Sequence, residues 1–174
     1  MVGREDYVHW RASVLENLTS VKLTTYERNG KEYIRTSTKS HPKYTKAYNR
    51  MYGTGRKSID NHQLTFLDWE YLAIWYMDDG NCYVDKRVNA TPKVKLATYG
   101  FSYYENVAIK RAIRDILGVD FSIIRETRKD KFQYYLKLPS KYYDKFRSGV
   151  EPYIFPSFQY KIPVNTCTYP QKSV

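Results

Sequence analysis

The chain has 174 residues, room for one compact domain with a real core or two small lobes, and sets 29 Lys and Arg against 18 Asp and Glu for a formal net charge of +11. With 19 Tyr, seven Phe and three Trp among those residues, such a basic, aromatic composition points to a polyanionic partner, nucleic acid before membrane. No run approaches the roughly 18 apolar residues of a membrane span, and the opening MVGREDYVHW lacks the apolar stretch of a signal peptide.

Residues 5–18 read as a first helix, with Val8, Ala12, Leu15 and Leu18 on one stripe and Glu5 and Asp6 suited to its N-terminal turn. Two β-prone runs, 21–26 and 32–38, flank Asn29-Gly30, a strong hairpin signal. Pro42 opens a second helix over 43–51, expected to turn Tyr44, Ala47, Tyr48 and Met51 inward, and Gly53-Thr54-Gly55 stops it before Arg56-Lys57-Ser58-Ile59.

Residues 67–80, LDWEYLAIWYMDDG, are predicted to form a helix that is apolar on several faces and so buried on several faces, ending abruptly in Asp78, Asp79 and Gly80. Strands follow at 81–87 and 93–99. Ser102 and Glu105 form a capping box for a helix carrying Val107, Ile109, Ala112, Ile113 and Ile116, which Gly118 ends. A second strand pair, 121–127 and 132–138, leads to a helix capped by Ser140 and running to Arg147, then to Tyr160-Lys161-Ile162-Pro163. Cys82 and Cys167 fit neither a disulfide framework nor a zinc spacing, and His9, His41 and His62 form no ligand pair. The expected setting is therefore a reducing one, cytoplasmic or nucleoid-associated, with an organelle matrix also compatible.

This order contains a repeat. Residues 67–163 make an α-β-β-α-β-β-α unit, and residues 5–59 match its last four elements, each copy closing on a basic stretch that contains Lys57 or Lys161. The fold class is α+β, divided as 1–64, a partial copy (αββα) lacking its first helix and hairpin, and 65–174, a complete one.

Two acids at a helix C-terminus oppose the helix dipole, and a buried carboxylate needs a partner. Either Asp78-Asp79-Gly80 is a solvated C-cap turn, or a divalent cation compensates. Hydrolysis of a phosphodiester calls for carboxylate-held metal, with Mg²⁺ taking oxygen ligands. Asp79 suits that role, and Lys57 and Lys161 are the candidates for steadying the phosphate or its water network. The hairpins alternate basic residues in the manner of a ribbon for the major groove: Lys86, Arg87, Lys93 and Lys95 in one, and Arg125, Arg128, Lys129, Lys131, Gln133 and Lys137 in the other. An ordinary sheet with a solvated charged face is the competing reading.

Leu72-Ala73-Ile74-Trp75-Tyr76-Met77-Asp78-Asp79-Gly80 resembles the signature of the LAGLIDADG homing endonucleases, in the branch ending Met-Asp-Asp-Gly. The likeness extends through Thr98-Tyr99-Gly100-Phe101 and Tyr160-Lys161-Ile162-Pro163, and the whole chain is similar to a two-motif enzyme from after its first motif to its end. That resemblance implies saddle-shaped antiparallel sheets with helices on one face. It implies metal at Asp79, with the Asp78 carbonyl also facing it, Mg²⁺ as cofactor (Mn²⁺ as a substitute), and Lys161 and Lys57 beside the two catalytic pockets. The implied activity is site-specific cleavage of double-stranded DNA in intron homing. In the family two signature helices pack together, so Leu72, Ala73, Trp75 and Tyr76 are expected at an interface. Only one such helix is present here; the expected partner is a second chain carrying the other, or a second copy. The alternative is a maturase or binding module that holds intron RNA or DNA without cutting.

Overall fold

A computed structural model of the chain describes residues 4–84, 90–128 and 131–165. In order, they form α1 (Glu5–Glu16), β1 (Val21–Arg28), β2 (Lys31–Thr38), α2 (Pro42–Tyr52), α3 (Asn61–Leu64), α4 (Trp69–Asp79), β3 (Gly80–Tyr83), β4 (Lys93–Leu96), α5 (Tyr103–Leu117), β5 (Ser122–Arg128), β6 (Lys131–Lys137) and α6 (Tyr143–Val150). Short 3-10 turns at Ser140–Tyr142, Glu151–Tyr153 and Pro156–Lys161 complete them. None of the helices is long and apolar enough to cross a membrane among the described residues.

The architecture is α+β, with helices packed on antiparallel sheets. One sheet is the β1–β2 hairpin alone; the other has four strands in the order β3-β4-β6-β5. Asn29 and Gly30 both take positive φ, 54° and 68°, as a two-residue I′-type hairpin turn requires, so the strands run into the turn further than the sequence suggests.

The core lies between the four-stranded sheet and α4, α5 and α6. Leu72, Ala73, Tyr76 and Met77 of α4 are buried, as are Ile109 and Ile113 of α5 and Phe146 of α6, each large side chain contributing about 1.5–3 kcal/mol by leaving water. The Tyr76 ring meets Phe146 edge-on at 5.1 Å, and Phe146 meets Phe121 likewise at 6.1 Å. Asp68 begins α4, accepting a hydrogen bond from the Tyr71 amide, so the two residues before Trp69 expected in the helix are its cap and lead-in. The Ser102–Glu105 capping box forms as expected. The stripe of α5 is shifted, however: Asn106, Ile109, Ile113 and Leu117 are buried while Ile116 is half exposed.

Two local expectations fail. Ser140 starts a 3-10 turn and caps nothing; α6 begins at Tyr143 after Pro139 has set an extended entry. And α2, amphipathic and well begun by Pro42, buries none of its residues, leaving Tyr48 64% exposed.

Candidate active site and nucleic-acid interface

The acid pair sits where α4 turns into β3. Asp78 and Asp79 are both exposed, but they face different neighbours. Asp78 pairs with Arg11 of α1 at 3.8 Å and lies by the Tyr7 hydroxyl, whose pKa is driven up first by burial and then by that carboxylate. Asp79 instead lines a cavity of about 320 Å³ together with Lys57, Met51, Tyr71, Trp75 and Phe101. Its own carbonyl accepts from the Ala97 amide at 3.0 Å, tying the acid to the residue that follows β4.

Lys57 reaches this cavity from the connection after α2. Its ammonium stands 4.9 Å from the centre of the Phe101 ring, a cation–π contact that holds the side chain over the pocket. Glu105 fixes the connection itself: Arg56 donates to its carboxylate at 2.7 Å, the Ile59 amide at 3.2 Å and the Ser102 amide at 2.7 Å. Burial works against the charge of Glu105, but those hydrogen bonds, from Ser102 and Arg56 first, outweigh it and hold the carboxyl down at about 2.

Lys161 occupies another place altogether. It is 6% exposed, and its Nζ donates to the carbonyls of Gly80 at 2.6 Å, Met77 at 2.7 Å and Tyr76 at 3.3 Å. Tyr76 returns the contact, its hydroxyl donating to the Lys161 carbonyl at 2.8 Å. Expected beside an open pocket, Lys161 is therefore a buried cap on the negative end of α4, which answers the dipole problem raised by two terminal acids. Burial, and secondarily the charge of Arg4, lowers its ammonium to about 8. Lys57 and Lys161, expected at matching places in the repeat, face different surroundings.

The interface residues expected on α4 also sort differently. Leu72, Ala73 and Tyr76 are spent inside the chain's own core, because they lie on the side of α4 that meets the sheet and α6. The half-covered stripe is Tyr71, Ile74 and Trp75, so of the four only Trp75 is open to a partner.

Strand register divides the basic residues. In the four-stranded sheet Leu96 pairs with Leu136, and Leu136 with Ile123, defining the face the helices cover. Lys95 pairs with Lys137, Tyr83 with Lys93, and Glu126 with Gln133, so Lys93, Lys95, Gln133 and Lys137 share the opposite, outer face, as does Lys131. Arg125 falls one residue out of phase: it pairs with Tyr134 on the helix face and lies 4.7 Å over the Phe132 ring, so it is not an outer-face reader. Lys86, Arg87 and Lys129 lie outside the described residues, as does the side chain of Arg128.

The outer face holds groups that a search for cations overlooks. Lys95 stands 3.9 Å over the Tyr135 ring and 4.9 Å from that of Tyr99, while the Tyr99 hydroxyl donates to Glu126 at 2.8 Å. Counting by twos from Gln133 would have found Tyr135. The β1–β2 hairpin, expected from Asn29-Gly30, carries a basic face that was not among the expected interface residues. Its register puts Val21, Leu23 and Ile34 on one face with Glu27 and Glu32, and Lys22, Tyr26, Arg28, Lys31, Tyr33 and Arg35 on the other. Tyr26 stacks on Tyr33 at 5.5 Å, with the Arg35 guanidinium 5.2 Å over Tyr26.

Among the described residues no group of three or more His, Cys, Asp and Glu could hold a metal ion. The chemistry of the exposed Asp79 carboxylate fits a hard divalent cation that keeps waters and takes phosphate oxygens.

The family model for the LAGLIDADG DNA endonuclease family matches residues 3–146. An uncharacterized protein of Methanocaldococcus jannaschii is 32% identical over 126 residues, 72% of this chain and 46% of that protein. The chain thus spans about half the length of this relative. The protein named "probable intron-encoded DNA endonuclease 3" of Mycosarcoma maydis is 29% identical over 67% of this chain and 79% of its own length. Among solved structures, the homing endonuclease I-WcaI bound to its DNA recognition sequence superposes with a TM-score of 0.71 at 23% identity, over 92% of this chain and 72% of that one; at that identity the likeness concerns the fold.

Proposed function

The chain belongs to the LAGLIDADG DNA endonuclease family, and on that premise we propose that it is the larger part of a site-specific, metal-dependent endonuclease for double-stranded DNA. One observation carries the reading: Asp79 and Lys57 share a cavity at the end of a buried helix. Basic, Tyr-bearing sheet faces on both halves of the chain agree with it.

In this reading 1–64 is a partial repeat and 65–174 a complete one. The outer faces of the sheets lie along the major groove, with Lys22, Arg35, Lys93 and Lys137 on phosphates and Gln133 within reach of base edges. Asp79, with phosphate and water oxygens, would hold Mg²⁺, or Mn²⁺ in its stead. The bound ion would supply Lewis-acid stabilisation of charge on the scissile phosphate. Lys57, held over Phe101, steadies the phosphate from the other side of the cavity. Lys161 is a positioning residue that sets the end of α4. Because one carboxylate serves one strand, cutting both strands takes a second acid-tipped helix from a partner.

Cleavage of a plasmid library with Mg²⁺ present, alone and with candidate partners, tests this. Asp79→Asn should abolish cutting and leave DNA binding intact. Failure to cut under any pairing, with tight binding of group I intron RNA instead, would overturn the endonuclease reading in favour of a maturase.

A further inference from the structure

Gly100 lies exposed in the turn between β4 and α5. Its own backbone does not call for glycine, since the glycines with positive φ are Gly30, Gly55 and Gly118. What its missing side chain leaves room for is Lys57. A Cβ on Gly100 would stand 3.2 Å from the Cδ of Lys57, 3.6 Å from its Cβ and 3.9 Å from its Cγ. The stem of Lys57 therefore lies along Gly100, and its ammonium meets the ring of the next residue, Phe101.

The backbone on either side of Lys57 is held as closely. The Glu105 carboxylate accepts from Arg56, the residue before it, and from the Ile59 amide, two residues after it. Between them the Ser58 amide donates to the Met51 carbonyl of α2 at 2.7 Å. The segment that holds Lys57 also reaches the acid. Its Ala97 amide donates to the Asp79 carbonyl. Its Phe101 ring stands edge-on to Trp75 at 6.2 Å, one turn before Asp79 on α4.

We propose that residues 97–105 act as a spacer that sets how far the Lys57 ammonium stands from the Asp79 carboxylate, with Gly100 and Glu105 as its positioning residues. Gly100 admits the stem, and Glu105 clamps the chain on both sides of it. The proposal rests on the reading above that Asp79 and Lys57 act on one phosphate, and adds what fixes their separation. A displacement of about 1 Å between reacting groups costs on the order of a hundredfold in rate, so the spacing matters to the chemistry.

Proton NMR of the full chain without DNA reads the position of Lys57 through Phe101. The Lys57 ε-methylene protons, assigned against Lys57→Arg, should resonate upfield of those of a lysine in a free peptide and show cross-peaks to the Phe101 ring. Gly100→Ala should weaken these cross-peaks and Gly100→Val should remove them, both with a melting temperature close to that of wild type, as for other exposed positions. Gly100→Ala decides alone if the larger variant does not fold. Glu105→Gln, at a temperature where its circular dichroism matches wild type, should also move the Lys57 resonances. In the assembly that cuts, Gly100→Val should lower kcat about a hundredfold and leave Kd for DNA unchanged. The proposal fails if the folded Gly100 variants keep the Lys57 cross-peaks of wild type, or lose them without a fall in kcat. If wild type cuts DNA in no pairing, the endonuclease reading falls and the spacer's part in a reaction falls with it. The cross-peaks then report separately on whether Gly100 and Glu105 hold Lys57 in place.

Discussion

The Lys161 ammonium lies 2.6 Å from the Gly80 carbonyl, inside the turn that carries α4 into β3. A residue 81 positions later in the chain thereby closes the helix whose last residue is Asp79, and the geometry of the acid depends on it.

Lys161→Met should lower stability by about 2–3 kcal/mol, since it strips charge-assisted hydrogen bonds from buried carbonyls, measured as a shift in the urea midpoint. A pH signature separates this from simple loss of packing. The folded ammonium titrates near 8 against an ordinary 10.5, so the unfolded chain binds more protons between those values and stability rises with pH across that window. The variant should lack that rise.

Gly80→Ala should be more damaging than its size suggests. A Cβ there would fall 1.9 Å from the Tyr76 ring and 2.4 Å from the Tyr76 carbonyl oxygen. The ring is locked in the core and the carbonyl belongs to the helix, so neither can yield cheaply. A loss of about 3 kcal/mol or more is expected from thermal unfolding followed by circular dichroism.

Glu105→Gln should flatten the acid limb of the stability curve. With its folded pKa held at about 2 against an ordinary 4.5, Glu105 stabilises the fold above pH 4.5. That contribution, on the order of 3 kcal/mol, is lost as pH falls toward 2. In unfolding titrations the gap between wild type and variant should be about 2 kcal/mol smaller at pH 3 than at pH 7.

Register makes a sharp contrast for DNA binding. Lys137→Ala and Arg35→Ala, on outer faces, should each weaken binding and reduce the slope of log K against log salt by about 0.9. Arg125→Ala, on the helix face, should leave that slope unchanged.

Much of this was readable from residue order. The signature helix ends in Asp78, Asp79 and Gly80 as expected, and Ser102 and Glu105 form their capping box, because these depend on contacts within a few residues. The side of α4 used by Leu72 and Tyr76 was not readable: a helix apolar all round does not say which apolar face meets its own core and which stays open. Lys161 was misjudged for a related reason. A lysine that crosses the fold to reach Gly80 has no local signal, and its match to Lys57 in sequence concealed their different surroundings. Arg125 shows how little separates the two faces of a strand, a shift of one residue in register. The α2 stripe has the pattern of a core helix, yet none of its residues is buried, because periodicity says which side of a helix is apolar and not whether anything covers it.

The hairpin from Val21 to Thr38 keeps Glu27 and Glu32 on the face opposite Lys22, Arg28, Lys31 and Arg35. A formal charge of +11 is therefore a directional quantity rather than a uniform coat. A polyanion approaching in solution would meet a torque as well as an attraction, turning the molecule before first contact. Association should accordingly be fast at low ionic strength and slow steeply as salt is added, even where the final contacts stay the same.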